Sequence, residues 1–417
     1  MKPKLLTTLP GTTLPVLGAD LLAGLTVAMV AIPLSIAIAI ASGAPPATGL
    51  ITAIIGGLLV SLLGGSRVQI GGPTGAFIVV VYGVIAAHGY DGLVLATLMA
   101  GVILLVGGVL RAGNLIAYVP EAVINGFTIG IAVIIAASQI NDLFGLGIAK
   151  VPADFVEKLP ALWAVRSNIN WSALSLGLAT LLGIVALRRV APRWPGLIVA
   201  MALASLAVVI WHFPVDTIQS RYGELPRHLP LPALPAVSAA RLLELLPSAL
   251  TIAFLAAIES LLSALVADRL IESHHRPNAE LLAQGAANIG SALFGGLPAT
   301  GAIARTATNV RAGGKTPLAG VFHAVIILLV MLLAAPLAGF LAMPALAALL
   351  LITAWNMSEP RKWAEYWRAP WAERGLLLVT LLLTVLSSLT IAIGVGVGLG
   401  LVLRMRTAVP DLSGPER

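Results

Sequence analysis

One phrase is written twice in this chain, and it restricts the folds open to it. Gly71-Gly72-Pro73-Thr74-Gly75-Ala76 recurs as Gly295-Gly296-Leu297-Pro298-Ala299-Thr300-Gly301-Ala302. Each copy interrupts apolar sequence, and each is followed by an apolar run too short to cross a bilayer alone. Gly and Pro stop a helix, and the helix that restarts beyond them opens with N–H groups that lack acceptors. Such a start attracts anions, more strongly in low dielectric. Broken helices at matching places in two halves of a membrane chain point to a transporter's binding site.

The surrounding composition fits a membrane chain. The 417 residues are 59% hydrophobic and 10% charged, whereas soluble domains carry about 25% charged residues. Apolar segments near the bilayer-spanning length of ~20 residues recur along the chain. Lys2 and Lys4 precede a polar, Pro-containing stretch, so no cleavable signal peptide is read. The absence of cysteine excludes disulfides and thiolate metal sites.

Fourteen apolar segments are read, beginning near Ala19, Thr48, Thr74, Gly92, Pro120, Trp171, Pro195, Ser248, Glu280, Gly301, Pro317, Phe340, Gly375 and Ile391. With a cytoplasmic N-terminus, eighteen of the 25 Lys and Arg residues fall inside and six outside, all six in two long loops; Arg305 stays within the membrane. The net charge of +7 therefore reflects topology and no nucleic-acid role. Seven plus seven segments give halves of opposite orientation, with the phrase in the third segment of each. Arg67 to Ile70 and Phe294 to Leu297 read as extended stretches before the breaks. The loops Asn141 to Asn170 and Phe213 to Pro247 read as external.

Few ionisable groups fall at membrane depth, where burial is expensive. Arg305 lies one turn beyond the second break. It reads either as a fixed cation in an anion site or as a salt-bridge partner that ties helices together. Glu259 lies mid-span with Ser263 four residues on, on the same helix face. The carboxylate reads as a proton carrier, as a sodium ligand with Ser263, or as the partner of Arg305; proton is favoured over sodium. Pro33 and Ser35 mark a kink in the first span that could expose backbone to the site, and Phe77 reads as a pocket wall or a core aromatic. His323 reads as a packed, hydrogen-bonded histidine and His274-His275 as a solvated turn. No His/carboxylate cluster has metal-ligand spacing, no nucleophile–base pair suggests an enzyme, and Gly394 to Gly400 read as helix packing.

These residues resemble the sulfate permease (SulP) family of anion transporters, also called solute carrier family 26. The matching stretches are Ile32 to Ala37, Pro46 to Leu50, Gly65-Ser66-Arg67, Gly72-Pro73-Thr74, and Ala257 to Ala264 with Ala267-Asp268. The longest run is Gly295 to Gly320, with Arg305-Thr306 and Gly313-Gly314-Lys315-Thr316-Pro317. The resemblance implies an all-α polytopic membrane fold: fourteen segments in a 7+7 inverted repeat, two half-helices preceded by short strands, and core and gate domains. The core would hold about 19–115 and 248–336, the gate about 116–247 and 337–406. It implies secondary transport of a small anion (sulfate, bicarbonate or dicarboxylate) by an elevator-like movement in the plasma membrane, as a homodimer with both termini cytoplasmic. An uncoupled exchanger or channel is the alternative.

By the same resemblance, the anion site would comprise Thr74, Gly75, Ala76, Phe77, Ala302, Ile303, Ala304 and Arg305, and Glu259 and Ser263 would serve a coupling H+ or Na+. No other cofactor is implied. Three departures stand out: Leu34 where many members have Gln, Thr48 where Tyr is common, and a chain ending at Arg417 where the family continues into a STAS domain. The expectation is a membrane domain without STAS.

Overall fold

A computed structural model describes residues 2–114, 120–148, 151–191, 195–387 and 389–408. Lys150, Arg193 and Arg417 of the topology reading, and the expected core–gate boundary near 115–116, lie outside the described residues. The elements, in chain order, are α1 (Lys4–Thr8), α2 (Leu14–Ala41), α3 (Pro46–Leu63), β1 (Gly71–Gly72), α4 (Phe77–Val109) and α5 (Glu121–Phe144). Then come α6 (Phe155–Ala164), α7 (Trp171–Val190), α8 (Gly196–Trp211), α9 (Ile218–Tyr222), α10 (Ala239–Ile271) and α11 (Pro277–Leu293). β2 (Thr300–Gly301), α12 (Ile303–Arg311), α13 (Leu318–Gly339), α14 (Met343–Met357), α15 (Trp363–Arg368), α16 (Trp371–Leu386) and α17 (Leu389–Ala408) complete the order.

Seven described helices, α2, α3, α4, α5, α7, α10 and α13, are long and apolar enough to cross a membrane. Their lipid-compatible surface carries single exposed residues such as Leu182 and Leu333. Their inner faces carry small residues that let backbones approach. A Cβ added at Gly101 of α4 would lie 2.8 Å from the Gly285 carbonyl oxygen of α11, and one at Gly285 would lie 2.8 Å from the Gly101 carbonyl. The helices pack in two groups. In one, α4 lies against α10 and α11, and α2 and α3 against α13; in the other, α5 packs on α16 and α14 on α7.

α4 is continuous in name only, because Gly89 at φ 72°, ψ 178° splits it into a short first piece and a longer second one. The two breaks meet at a two-stranded antiparallel sheet, Gly71 opposite Gly301 and Gly72 opposite Thr300. The paired residues therefore lie beyond the stretches expected to be extended, Arg67 to Ile70 and Phe294 to Leu297, which carry no strand. Nor do the two copies pair like with like. In the first, Pro73-Thr74-Gly75-Ala76 separates strand from helix; in the second, Ala302 alone does.

α10 starts at Ala239, inside the loop expected to run to Pro247. The Ser238 hydroxyl caps it by accepting from the Arg241 N–H at 3.3 Å. Pro247 removes one donor without ending the helix, and the Thr251 hydroxyl donates to the Pro247 carbonyl. At the chain's far end, Gly396 packs against Thr380 and Gly400 against Pro120, whereas Gly394 and Gly398 face open space.

Candidate functional site

Non-helical backbone at membrane depth needs a partner for every polar group. The sheet joint supplies them from side chains. Asn288 brackets Ala299, accepting from its N–H at 3.0 Å and donating to its carbonyl at 2.8 Å. The Leu297 N–H donates to Thr52 Oγ1 at 2.6 Å, and Ser291 Oγ donates to the Leu297 carbonyl at 2.6 Å. Ala302 donates to the Ile70 carbonyl at 2.8 Å, Ile70 donates to Thr306 Oγ1 at 3.1 Å, and Thr300 donates to the Ala256 carbonyl at 3.1 Å. Asn288, Ser291 and Thr306 are fully buried. Sequence reading did not single out this scaffold. The polar spacing Gln284, Asn288, Ser291 along one face of an apolar helix was the signal that could have found it.

Both helices that leave the joint begin badly. The N-cap of α4 is Ala76 and that of α12 is Ala302, and neither has a side-chain cap. Alanine is among the poorest N-cap residues; at the start of α4 the Phe77 and Ile78 N–H groups donate instead to the Thr74 and Gly75 carbonyls at 3.2 and 3.1 Å, while the start of α12 has no side-chain cap. Phe77 is the first helical residue of α4 and is buried in the main apolar cluster. Thr74 and Gly75 sit in the turn before it. Ile303 and Ala304 open α12 and are exposed.

Arg305, in the first turn of α12, is 2% exposed. Its Nη2 donates to Ser35 Oγ at 2.9 Å, while Nε and Nη1 are buried without a partner among the described residues. The guanidinium lies over Gly72, whose missing side chain leaves the room: a Cβ there would collide with Arg305 Nη1. Gly72 also has φ 149°, a conformation that favours glycine. Pro33 lies inside α2 two residues before Ser35 and removes a helix donor next to the guanidinium's partner.

Glu259 does not pair with Arg305. Its Oε2 accepts from Thr74 Oγ1 at 2.7 Å, and among the described residues Arg305 makes no ion pair. The salt-bridge reading of both residues is therefore corrected: the carboxylate binds the first break and the guanidinium the kinked α2. Ser263 is fully buried and its hydroxyl meets Thr306 Oγ1 at 3.2 Å, so it braces α12 from α10.

Three further groups differ from expectation. His323 is fully buried, but neither ring nitrogen has a partner among the described residues. His275 is not solvated: its Nδ1 lies 2.7 Å from Asp268 Oδ2 and its side chain is 8% exposed. Glu280, read only as the start of a span, is fully buried and accepts from the Gly65 N–H at 2.9 Å, Ser260 Oγ at 2.8 Å and Gln284 Nε2 at 3.1 Å. Ser260 also receives Gln69 Nε2 at 3.0 Å, which links Glu280 to the segment just before β1.

The joint faces the second helix group. A Cβ at Gly75 would lie 3.1 Å from Met357 Sδ of α14 and 3.6 Å from Ile135 Cδ1 of α5. Chemically, helix starts without side-chain caps and a guanidinium with two of its three nitrogens unpartnered are groups that suit a negative solute, and the Glu259 carboxylate is held by Thr74 at the first break. Among the described residues no cluster of three His, Asp or Glu side chains could hold a metal ion.

Comparison with known proteins agrees with this architecture. The profile described as "Sulfate permease family" matches residues 17–380. A Bacillus subtilis (strain 168) protein carrying a sulfate-transporter name, YvdB, is 43% identical over 374 residues, 89% of this chain and 70% of that one. The bicarbonate transporter BicA of Picosynechococcus sp. is 32% identical over 388 residues, 89% of this chain and 67% of that one. The solved transmembrane domain of a cyanobacterial BicA superposes with a TM-score of 0.83 at 31% identity, covering 92% of this chain and 98% of that one. SLC26A9 superposes at 0.87 with 18% identity, over 97% of this chain and 68% of that one, and speaks to the fold alone. The chain thus belongs to the sulfate permease family: a mostly helical, multi-pass membrane protein of a transporter family, not an enzyme.

Proposed function

We propose that the chain is a secondary active transporter of a small oxyanion of the sulfate or bicarbonate class, held between the starts of α4 and α12 by Thr74, Gly75, Ala76, Ala302, Ile303, Ala304 and Arg305. The observation that carries this reading is the Arg305 guanidinium, buried with two of its three nitrogens unpartnered. A buried cation in that state is stabilised by an anion brought to it. The names of the relatives support the substrate class. Phe77 walls the recess from below, and Pro33 and Ser35 set the guanidinium's position.

In this reading Glu259 carries the coupling proton, with sodium as the other ion considered and Ser263 as the hydroxyl nearby. The Thr74 hydrogen bond supports it, because it joins the carboxylate to the first break and leaves Arg305 to the anion. The fold proposed is fourteen segments in a 7+7 inverted repeat. About 19–115 and 248–336 form a core, and about 116–247 and 337–406 a gate past which the core slides. The Gly75–Met357 approach lies on that sliding surface. The protein would act as a homodimer in the plasma membrane, with both termini cytoplasmic.

The test is uptake of labelled sulfate, bicarbonate and fumarate into proteoliposomes, with and without imposed pH or sodium gradients. Saturable uptake of one anion, accelerated by an inward proton gradient, is expected. Saturable uptake indifferent to both gradients leaves an uncoupled exchanger, and non-saturating current a channel. Absence of movement of every anion would falsify the reading.

A further inference from the structure

A second cationic recess lies away from the transport site, on the face that carries the N-terminus. It is a cavity of about 540 Å³ lined by Lys4, Arg67, Arg276, Lys315 and the hydroxyls of Thr7 and Thr8. Four pieces of chain distant in sequence build it. α1 is tied down by the Lys4 N–H donating to the Gly64 carbonyl at 2.8 Å. The Gly64-Gly65-Ser66-Arg67 turn follows α3, and Arg276 donates its own N–H to Gly65 at 3.1 Å. The Gly313-Gly314-Lys315-Thr316 turn follows α12, with the Lys315 and Thr316 amides held by Asp20 Oδ1 at 2.7 and 3.1 Å.

The four cations find no carboxylate among the described residues. Asp20 is engaged by the amides of the turn, and Asp268, the acid nearest to Lys4 in its electrostatic effect, is held by His275. Arg276 reaches only neutral acceptors, the Lys2 carbonyl at 2.7 Å, the Pro3 carbonyl at 3.4 Å and Thr7 Oγ1 at 3.5 Å. Arg67 gives Nη2 to the Lys315 carbonyl at 3.4 Å, and its Nε is buried with no partner. Burial and the like charges of Arg276 and Arg67 push the Lys4 ammonium below its ordinary range. Positive charge in loops on the cytoplasmic side orients a membrane chain simply by being there. Orientation alone does not require four cations converging on one concavity with a guanidinium nitrogen sealed beneath it.

We propose that this recess binds a phosphate group, carried by an anionic lipid or free in solution. Two guanidinium forks offer the bidentate geometry that a phosphate takes, and the ammonium and hydroxyl groups complete its shell. The exposed side chains of Leu6, Leu9 and Leu14 border the cations, a pattern that sets α1 at headgroup depth. The occupied recess would pin the N-terminal segment to the turns that follow α3 and α12, the two helices next to the transport site.

The test uses the full chain in nanodiscs of phosphatidylcholine alone, with inorganic phosphate titrated, and in nanodiscs with increasing phosphatidic acid. The readout is the thermal unfolding midpoint. A saturable rise with either probe is expected, with its half-point moved at least ten-fold by R67Q/R276Q while sulfate or bicarbonate uptake keeps its half-saturation. A response to phosphatidic acid alone names the lipid as source, and a response to inorganic phosphate alone names the free ion. If the arginine pair does not fold, K4Q/K315Q replaces it with the same expectation. Equal half-points in wild type and variant overturn the proposal, as does a response that vanishes in R305A, which assigns it to the transport site. A flat response to both probes overturns it too.

Discussion

At residue scale the outcome turns on which buried charges have partners. An arginine at mid-bilayer costs on the order of 3 kcal/mol or more on insertion scales, and here one serine hydroxyl answers it. Arg305→Ala is expected to raise the half-saturation for the transported anion about ten-fold or more, and Arg305→Lys to recover charge without the planar fork, hence only part of the affinity; uptake kinetics check both. Glu259→Gln keeps a Thr74 partner of nearly the same shape. It is expected to leave anion binding in place while abolishing accumulation driven by the coupling gradient, which isothermal binding beside gradient-driven uptake separates. Outside the spans, Lys158 in the surface helix α6 is 4% exposed and bonds Ser138 Oγ at 2.7 Å, and burial lowers its pKa from 10.5 to about 8. Between those values the unfolded chain binds the extra proton, so stability rises as pH climbs from 8 towards 10.5, and below 8 the folded protein bears the full penalty, about 3 kcal/mol. Lys158→Met is expected to flatten that rise in the unfolding midpoint against pH.

At the scale of elements, the starts of α4 and α12 matter because each has an alanine N-cap and no side-chain cap, as α14 does at Ala342. Natural helices gain about 1 kcal/mol from a Ser or Asp at that place, and neither α4 nor α12 takes it. Ala302→Ser is therefore expected to raise the unfolding midpoint while weakening anion affinity, since the hydroxyl would claim the amides the anion uses. A variant that gained stability and kept its affinity would detach the amides from binding. Gly72→Ala would press on Arg305 Nη1 and strain φ, so affinity is expected to fall even where the fold holds. The duplicated phrase revealed the breaks but mislocated the strands, because pairing is decided by which backbone groups Asn288, Thr52 and Ser291 have already claimed. The early start of α10 was hidden for a related reason: a proline reads as a stop, and Ser238 and Thr251 supply what Pro247 takes away.

For the whole molecule, the contact of Gly75 with Met357 joins the two helix groups. The chain has no cysteine, so a G75C/M357C pair bridged by a short, reducible thiol cross-linker is expected to stop uptake, and reduction to restore it. Uptake continuing in the bridged protein would exclude sliding at this surface. Membrane residence, the placement of the breaks and the presence of Arg305 and Glu259 as rare charges in apolar stretches were legible in the chain alone, because apolar length and the scarcity of charge are properties of local sequence. Who partners whom was not. Arg305 and Glu259 look like a natural ion pair in one dimension, yet the guanidinium turns to Ser35 and the carboxylate to Thr74. That choice belongs to the tertiary structure, which brings four distant segments together and distributes their hydrogen bonds by distance and not by order in the chain.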